Sequence, residues 1–343
     1  MNIYGLFILA ALVFEYGMNL FAEILNLRTL DGDLPEEFEG IIDAATYQKS
    51  QEYTRTRTRF GILTSTLDLT LILLVWFGGG FNWLDQIVRA WNLSEIPTGL
   101  IYIGLLLIMK AILALPFTIY STFVIEEKFG FNKTTPGTFV ADRLKGLLLA
   151  ALLGAPLLAG ILAFFERAGS YAWLYCWIAS TLFTLFVQFI APTWIMPLFN
   201  KFTPLQPGEL RDTILSYAKS VRFALENVYV MDGSKRSSKS NAFFTGFGRH
   251  KRIALFDTLI AKHSVAGLVA VLAHEIGHYK KRHIVQGIGL SVLHMGLMFL
   301  LLSFFIGERG LFDAFFIQHV SVYGGLIFFG LLFSPLKWII SVA

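Results

Sequence analysis

Three residues toward the end of the chain have the types and the spacing of a zinc site. His274, Glu275 and His278 form the pattern H-E-x-x-H. On a helix, residues i and i+4 project from one face about one turn apart, so both imidazoles can bind a single ion. Glu275 is offset from that pair, where its carboxylate could take a proton from a zinc-bound water. The pattern predicts one Zn²⁺ per chain, bound by the two histidines, and a hydroxide that attacks a carbonyl.

The segment around this pattern is typical of a capped helix. Residues 265–281 read "VAGLVAVLAHEIGHYKK", and Ser264 before them is a candidate N-cap. An apolar stretch long enough to span a membrane follows directly. H-E-x-x-H alone is short enough to occur by chance, so this setting is what favours a metal site over coincidence.

The rest of the chain has the composition of a polytopic membrane protein. Of its 343 residues, 55% are hydrophobic and 15% are charged, against about 45–50% and about 25% in a soluble domain. Spanning helices need about 20 mostly apolar residues, and seven stretches meet that need. They lie near residues 3–22, 61–81, 99–120, 146–165, 171–196, 284–306 and 320–336.

Lysine and arginine alternate from one connection to the next. Segments 23–60, 121–145 and 197–283 carry five, four and fourteen of them, whereas each alternate connection carries one. By the positive-inside rule, the N-terminus lies outside and the three basic segments are cytoplasmic. This topology explains the net charge of +4 without a nucleic-acid partner, so the predicted partners are a lipid bilayer and a peptide.

The predicted fold is predominantly α, with seven transmembrane helices and a small cytoplasmic α+β metallopeptidase part. Residues 1–196 hold helices 1–5 together with the cytoplasmic segments 23–60 and 121–145. Residues 197–283 form the metallopeptidase segment, and residues 284–343 hold helices 6 and 7.

The metallopeptidase segment has a readable order of elements. "PGELRDTILSYAKSVRF" predicts an amphipathic helix and "ENVYVMDGS" predicts a strand that enters a turn. "SNAFFTGFGRHKRIALFDTLI" then predicts two strands joined through Gly246–His250. The helix that carries the H-E-x-x-H pattern comes last.

No third zinc ligand is evident among the remaining histidines. His283 follows His278 by five residues, and on a continuous helix it is expected to face away from the pair. His294 lies about 24 Å further along the axis at about 1.5 Å per residue. His250 and His263 occupy a turn and the position before a cap, where solvated histidines are ordinary.

Other candidate ligands are no better placed. His319, Glu308 and Asp313 lie across the membrane in the predicted topology. "LDG" at Leu30–Gly32 is like the aspartate motif of site-2 intramembrane proteases, but there the motif follows H-E-x-x-H and both lie within spans. The single cysteine, Cys176, excludes an intrachain disulfide and a cysteine-based zinc site.

Four stretches of the chain resemble the type I CAAX prenyl endopeptidases. They are "FVIEEKFGFNKTT" at 123–135, "PLFNKFTPL" at 197–205, "SNAFFTGFGRHKRIALFDTLI" at 240–260 and "HEIGH" at 274–278. Residues 35–61 have the look of the bacterial branch. The resemblance implies a seven-span zinc metalloprotease whose helices surround a water-filled chamber, with the zinc site opening into it from the cytoplasmic side.

The resemblance also implies roles for single residues. His274 and His278 match the zinc-binding histidines, Glu275 matches the catalytic base, and Asn241 matches an asparagine beside the substrate backbone. From the residues alone, positions 241–244 are expected to form an exposed strand edge that can pair with an extended peptide. Asn241 as an ordinary turn residue stays an equal alternative.

The sequence departs from the family at its end. In the family, a glutamate of an E-x-x-x-D-type segment after the seventh span completes the zinc site. This sequence stops at Ala343, before such a segment, so the expectation is a C-terminally shortened copy with weaker zinc binding and poor or absent hydrolysis.

The function predicted from the sequence is that of an integral-membrane zinc endopeptidase. Its substrate is either a prenylated C-a-a-X terminus or, in the bacterial inner membrane that the sequence favours over the endoplasmic reticulum, membrane proteins in general. Two alternatives stay open: a non-catalytic membrane scaffold, and a seven-span transporter with an incidental H-E-x-x-H.

Overall fold

The structure is a computed structural model, and it describes residues 1–30, 33–223, 225, 227–245 and 252–333. Helices account for most of these residues, and the strands are confined to one small sheet. The α-helices are α1 (Ile3–Arg28), α2 (Ala44–Phe77), α3 (Gly80–Arg89), α4 (Glu95–Tyr120), α5 (Pro136–Leu149), α6 (Ala155–Arg167), α7 (Ala172–Ile190), α8 (Glu209–Ser220), α9 (Asp257–Ile260), α10 (Val265–Lys280), α11 (His283–Phe305), α12 (Arg309–Ala314) and α13 (Val322–Leu332). The strands are β1 (Phe202–Pro204), β2 (Asn227–Met231), β3 (Ala242–Thr245) and β4 (Arg252–Phe256).

Within the described residues, six helices are long and apolar enough to cross a membrane. They are Ile3–Arg28, Ala44–Phe77, Glu95–Glu126, Pro136–Arg167, Gly169–Leu198 and His283–Phe305, where π-helical turns join α5 to α6 and extend α4 and α7. Each contains most of one predicted stretch, and most run further because polar residues continue the helix beyond its apolar part.

The seventh predicted stretch, 320–336, is described only in part. Its described helix is α13, which is apolar but has 11 residues, and residues 334–343 lie outside the description. The count of seven spans is therefore not confirmed. Residues 31–32 of the "LDG" segment and the predicted turn Gly246–His250 also lie outside the described residues.

The chain divides into two compact units, which are described separately. Unit 1 comprises Met1–Ile125, Leu158–Cys176 and Met298–Ala343. Its core is aromatic: the rings of Phe315 and Phe328 stack with centroids 4.1 Å apart, and Trp76 stacks on Phe315 at 4.7 Å. The Trp76 indole N–H donates to the carbonyl of Ala314 over 2.7 Å, so this buried donor is satisfied.

Unit 1 also contains a polar cluster around the buried Asp85, formed by Asp85 and the partly exposed Arg89 of α3, the exposed Glu95 of α4 and the buried Tyr323 of α13. The Asp85 carboxylate accepts from the Tyr323 hydroxyl and, over 3.2 Å, from Arg89 Nε. Arg89 Nη1 donates to Glu95 over 3.1 Å. Burial alone would lower the pKa of Arg89, but the hydrogen bond to Glu95 and the neighbouring acidic groups raise it. This Asp85 cluster joins three helices that are far apart in sequence.

Unit 2 comprises Glu126–Leu157 and Trp177–Leu297, and it contains the sheet, in the order β1-β2-β4-β3. β2 and β4 are parallel, whereas β1 and β3 pair antiparallel with β2 and β4 respectively. The predicted amphipathic helix is α8, and the predicted strands are β2, β3 and β4. The short edge strand β1 was not predicted, because its three residues are too few to show alternation.

A bidentate ion pair connects α5 to the loop between β2 and β3 in unit 2. Arg236 Nε and Nη2 donate to the two carboxylate oxygens of Asp142 over 2.6 and 2.8 Å. Nη2 also donates to the carbonyl of Phe199 over 2.8 Å. The bonds to Asp142 raise the pKa of the Arg236 guanidinium. The ion pair fixes the loop that leads to Asn241 and β3.

Candidate metal centre and peptide-binding edge

The α10 helix is oriented by its apolar face. Leu268, Leu272 and Ile276 are buried at intervals of four residues and pack against α8 and the sheet. Because position i+2 is about 200° away from position i on a helix, His274 and His278 lie on the opposite, exposed face. The helix begins as predicted, with the Ser264 hydroxyl accepting from Gly267 N–H over 3.3 Å.

The two histidines converge at their Nε2 atoms, which are 3.0 Å apart. Two imidazole nitrogens that each lie about 2.0–2.1 Å from a tetrahedral zinc ion are roughly 3.3 Å apart. The pair therefore fits one zinc ion after a small rotation of either ring. Glu275 is half-buried and is offset by about 100° from His274, beside the pair rather than within it.

No third ligand joins this pair in the described part of the chain. Within those residues, no group of three or more His, Cys, Asp or Glu side chains could hold a metal ion. Asp313 instead pairs with Arg309 over 2.8 Å, and His263 is exposed before the Ser264 cap. His250 lies outside the described residues.

His283 departs from the prediction, because its ring lies against His278. The two Nδ1 atoms are 2.8 Å apart, so the expectation that His283 faces away from the pair was wrong. That expectation assumed a continuous helix. In the structure α10 ends at Lys280, Arg282 adopts a left-handed backbone with φ of 57°, and α11 begins at His283. The break brings His283 back towards the metal face.

Strand β3 is at one end of the sheet, and its outer edge has no strand partner within the described residues. Phe256 N–H donates to the carbonyl of Asn241 over 3.0 Å. In the antiparallel register this makes Asn241 face β4 and turns the backbone groups of Ala242 and Phe244 outward. The structure thus forms an edge strand at the expected residues, but of these only Asn241 is exposed, whereas Ala242 is buried.

The Asn241 side chain lies on that outer edge. Asn241 is exposed, and its Oδ1 accepts from the outward N–H of Ala242 over 2.9 Å. This bond reaches the next residue, whereas the bond of an Asx-turn reaches the residue two positions on, so it does not decide between the two alternatives. It also places the side-chain amide at the first position where an added strand would pair.

An aromatic group fixes α10 to the edge strand. Tyr279, next to His278, meets Phe244 of β3 edge-to-face with ring centroids 5.5 Å apart, and meets Phe223 at 5.2 Å. Edge-to-face pairs contribute about 0.5–1.5 kcal/mol beyond area burial. The contact sets the distance between the H-E-x-x-H helix and the outer edge of β3.

Sequence reasoning assigned no role to Arg236 or to this aromatic group. Arg236 stands in the basic run 235–239 and looks like one solvated cation among several. Its partner Asp142 is 94 residues away, and no local pattern couples the two positions. Tyr279 and Phe244 each read as ordinary apolar positions of their own element.

Apolar spanning helices and an H-E-x-x-H helix packed on a small sheet together define a polytopic membrane metallopeptidase. Comparison with known proteins narrows this class. Residues 23–201 match the family described as CAAX prenyl protease N-terminal, five membrane helices, and residues 204–336 match Peptidase family M48. The chain belongs to the CAAX prenyl protease 1 family of M48 peptidases, which are membrane zinc metalloendopeptidases.

Curated relatives from fungi and animals agree with this membership. The chain is 37% identical to "Probable CAAX prenyl protease 1" of Schizosaccharomyces pombe, over 88% of this chain and 67% of that protein. It is 38% identical to "CAAX prenyl protease 1" of Saccharomyces cerevisiae, over 82% of this chain and 65% of that protein. The "CAAX prenyl protease 1 homolog" of Homo sapiens is 34% identical, over 90% of this chain and 74% of that protein.

A solved structure has the same fold. The crystal structure of S. mikatae Ste24p superposes with a TM-score of 0.93 at 34% identity, covering 100% of this chain and 85% of that one. The predicted fold class and the predicted zinc metalloendopeptidase class are confirmed, and the scaffold and transporter alternatives are not favoured. The bacterial origin and the C-terminal shortening stay predictions.

Proposed function

We propose that this chain hydrolyses peptide bonds at a site where His274 and His278 bind one zinc ion. The observation that carries the proposal is the 3.0 Å separation of the two Nε2 atoms on the exposed face of α10. A zinc ion bound there would supply a water whose pKa is near neutrality. By the family resemblance, the third ligand is a glutamate of an E-x-x-x-D-type segment after the seventh span.

Glu275 is the proposed general base. Its carboxylate is beside the histidine pair on the same helix, where it can take the proton of the attacking water and pass it to the leaving amine. The Glu275 side chain is half-buried, which restrains its rotation, and its backbone is held in the capped helix α10. The role needs no other acid from the described part of the chain.

The proposed substrate is an extended peptide that pairs with the outer edge of β3. The outward N–H and C=O groups of Ala242 and Phe244 provide the hydrogen bonds that an added strand needs. Asn241 now covers the first of these amides through its own Oδ1. On substrate binding its side chain would rotate and bond the peptide backbone.

The proposed membrane topology and substrate class follow from the sequence. The N-terminus lies outside, and the site, on segment 197–283 between helices 1–5 and the last two spans, faces the cytoplasm. The relatives are named CAAX prenyl proteases, and this supports a prenylated C-a-a-X substrate. In the bacterial inner membrane, which the sequence favours, the substrates would be membrane proteins more generally.

Replacing the base tests the proposal. Glu275→Gln should reduce peptidase activity by on the order of 10²–10⁴-fold, the usual contribution of a general base, while zinc content stays near one per chain. Glu209→Gln is the matched control, because Glu209 is an exposed glutamate on α8. Retained activity in Glu275→Gln would contradict the general-base role.

A further inference from the structure

Both ring nitrogens of His278 have a histidine partner. Nε2 lies 3.0 Å from Nε2 of His274, and Nδ1 lies 2.8 Å from Nδ1 of His283. The His278 and His283 rings are inclined at 66° with centroids 5.0 Å apart, so the two meet through their nitrogens and do not stack. The three imidazoles therefore form a short chain, with His278 in the middle.

The backbone makes this arrangement specific to the end of α10. Lys281 N–H still bonds the carbonyl of Gly277, and Arg282 N–H bonds that of Tyr279. The left-handed Arg282, with φ of 57°, then ends the helix. Gln286 N–H bonds the carbonyl of Arg282 as α11 starts. His283 is thus held at the first position of a new helix and is not on a free loop.

The chemistry of a neutral imidazole gives this contact a direction. Such a ring carries one N–H and one lone pair. A His278 that offers its Nε2 lone pair to a metal must carry its proton on Nδ1, and that N–H points at Nδ1 of His283. His283 then accepts with its Nδ1 lone pair and keeps its own proton on Nε2.

We propose that His283 is a positioning residue that fixes the tautomer and the ring orientation of His278 for zinc binding. The inference rests on the proposed function, since it concerns the same zinc ion. His283 is not assigned as a ligand, because it meets His278 at the nitrogen opposite the one that faces His274. Hydrogen-bond partners of metal-bound histidines usually change metal affinity by about 10–100-fold.

Two substitutions of His283 separate a hydrogen-bond role from a packing role. Asparagine carries a carbonyl oxygen close to where Nδ1 of a histidine lies, so His283→Asn keeps an acceptor for the His278 N–H. His283→Leu fills a similar volume and has no acceptor. His263→Leu is the matched control, because His263 is an exposed histidine of unit 2 that lies outside the three-histidine chain.

The measurement is the zinc dissociation constant of the full chain in detergent, obtained by competition with a chromogenic chelator. His283→Leu should weaken zinc binding by about 10–100-fold. His283→Asn and His263→Leu should stay within about threefold of the unsubstituted chain. Thermal unfolding of the metal-free proteins checks that each variant folds. If the leucine variant does not fold, His283→Ala, which also lacks an acceptor, takes its place with the same expected loss of zinc affinity.

The outcomes distinguish the two proposals. If the unsubstituted chain binds no zinc, or if His278→Ala binds it equally well, the proposed function is wrong. If zinc binding depends on His278 but His283→Leu binds like the unsubstituted chain, only the positioning role is overturned. Equal loss in His283→Asn and His283→Leu also overturns it, because an acceptor alone would then not be enough.

Discussion

The histidine site of unit 2 and the Asp85 cluster of unit 1 handle polar groups in opposite ways. Asp85 is 3% exposed, and a tyrosine and an arginine from two different helices donate to it. His274 and His278 are exposed and meet at their Nε2 atoms, and His278 alone also meets His283. Buried polar groups are stabilising only when partnered. The Asp85 cluster therefore holds helices together, whereas the exposed histidine site presents ring nitrogens that can bind a ligand.

Removal of the metal should have the largest effect of the changes considered. It should abolish the activity of the histidine site and leave the Asp85 cluster unchanged. We expect a strong chelator to reduce peptidase activity by several orders of magnitude, since the water nucleophile depends on the ion. Because the Asp85 carboxylate is already bonded by Arg89 and Tyr323, we expect the packing of unit 1 not to respond to the chelator. The measurement is peptide hydrolysis before chelation, after chelation and after zinc is restored. Activity that survives full removal of zinc would contradict the metallopeptidase assignment.

Asp85→Ala should lower the stability of the fold and leave zinc binding unchanged. It leaves Arg89 with Glu95 as its one carboxylate partner and Tyr323 without its Asp85 acceptor, and removing one member of a buried pair costs about 3–5 kcal/mol. Since Arg89 is 24% exposed, water offsets part of this, and we expect about 2–4 kcal/mol of destabilisation. The thermal unfolding midpoint in detergent measures it. Zinc affinity should not change in the fraction that remains folded.

Tyr323→Phe is the milder test of the same cluster. It removes a single hydroxyl donor and keeps the ring, which packs against Tyr102 at 5.0 Å. A hydrogen bond to a charged group contributes about 1.5–3 kcal/mol, so this variant should lie between Asp85→Ala and the unsubstituted chain. A midpoint equal to that of the unsubstituted chain would show that the bond to Asp85 contributes nothing.

Arg236→Lys tests the link between α5 and the loop before Asn241. Lysine keeps the charge but cannot reproduce the fork that bonds both oxygens of Asp142. Arg236 is partly exposed, so the expected loss of stability is modest, about 1 kcal/mol. If the loop orients the β3 edge, KM for a peptide substrate should rise more than kcat falls. Lys235→Arg, next to it, is the control.

The sequence predicted those features of the fold and of the site that depend on residues close together in the chain. The four-residue spacing of His274 and His278, on a helix with a candidate cap at Ser264, predicts that both lie on one face, and hydropathy predicts six of the spans. The Asp85 cluster was not predicted, because Asp85 and Tyr323 are 238 residues apart. His283 was misplaced for another reason: the backbone angle of one residue, Arg282, decides where it points, and arginine has no preference that reveals a left-handed conformation.

Substitutions of Arg282 therefore have the smallest expected effect on stability and the most specific effect on the histidine site. A non-glycine residue in the left-handed region costs about 1–2 kcal/mol, and glycine recovers most of this but loses about 0.5–1 kcal/mol in chain entropy. Arg282→Gly should consequently change the unfolding midpoint little and leave zinc affinity unchanged. Arg282→Val opposes the left-handed turn, since a β-branched residue is strained there, and should weaken zinc binding as His283→Leu does.

The control for this backbone effect is Arg222, an exposed arginine just after α8 with φ of 52°. Arg222→Val imposes the same kind of strain in the same unit but outside the three-histidine chain. Both valine variants should lower the unfolding midpoint by similar amounts, and only Arg282→Val should raise the zinc dissociation constant. Because the two substitutions match in residue, exposure and backbone angle, a difference in zinc affinity between them reports the position of His283 and not general destabilisation.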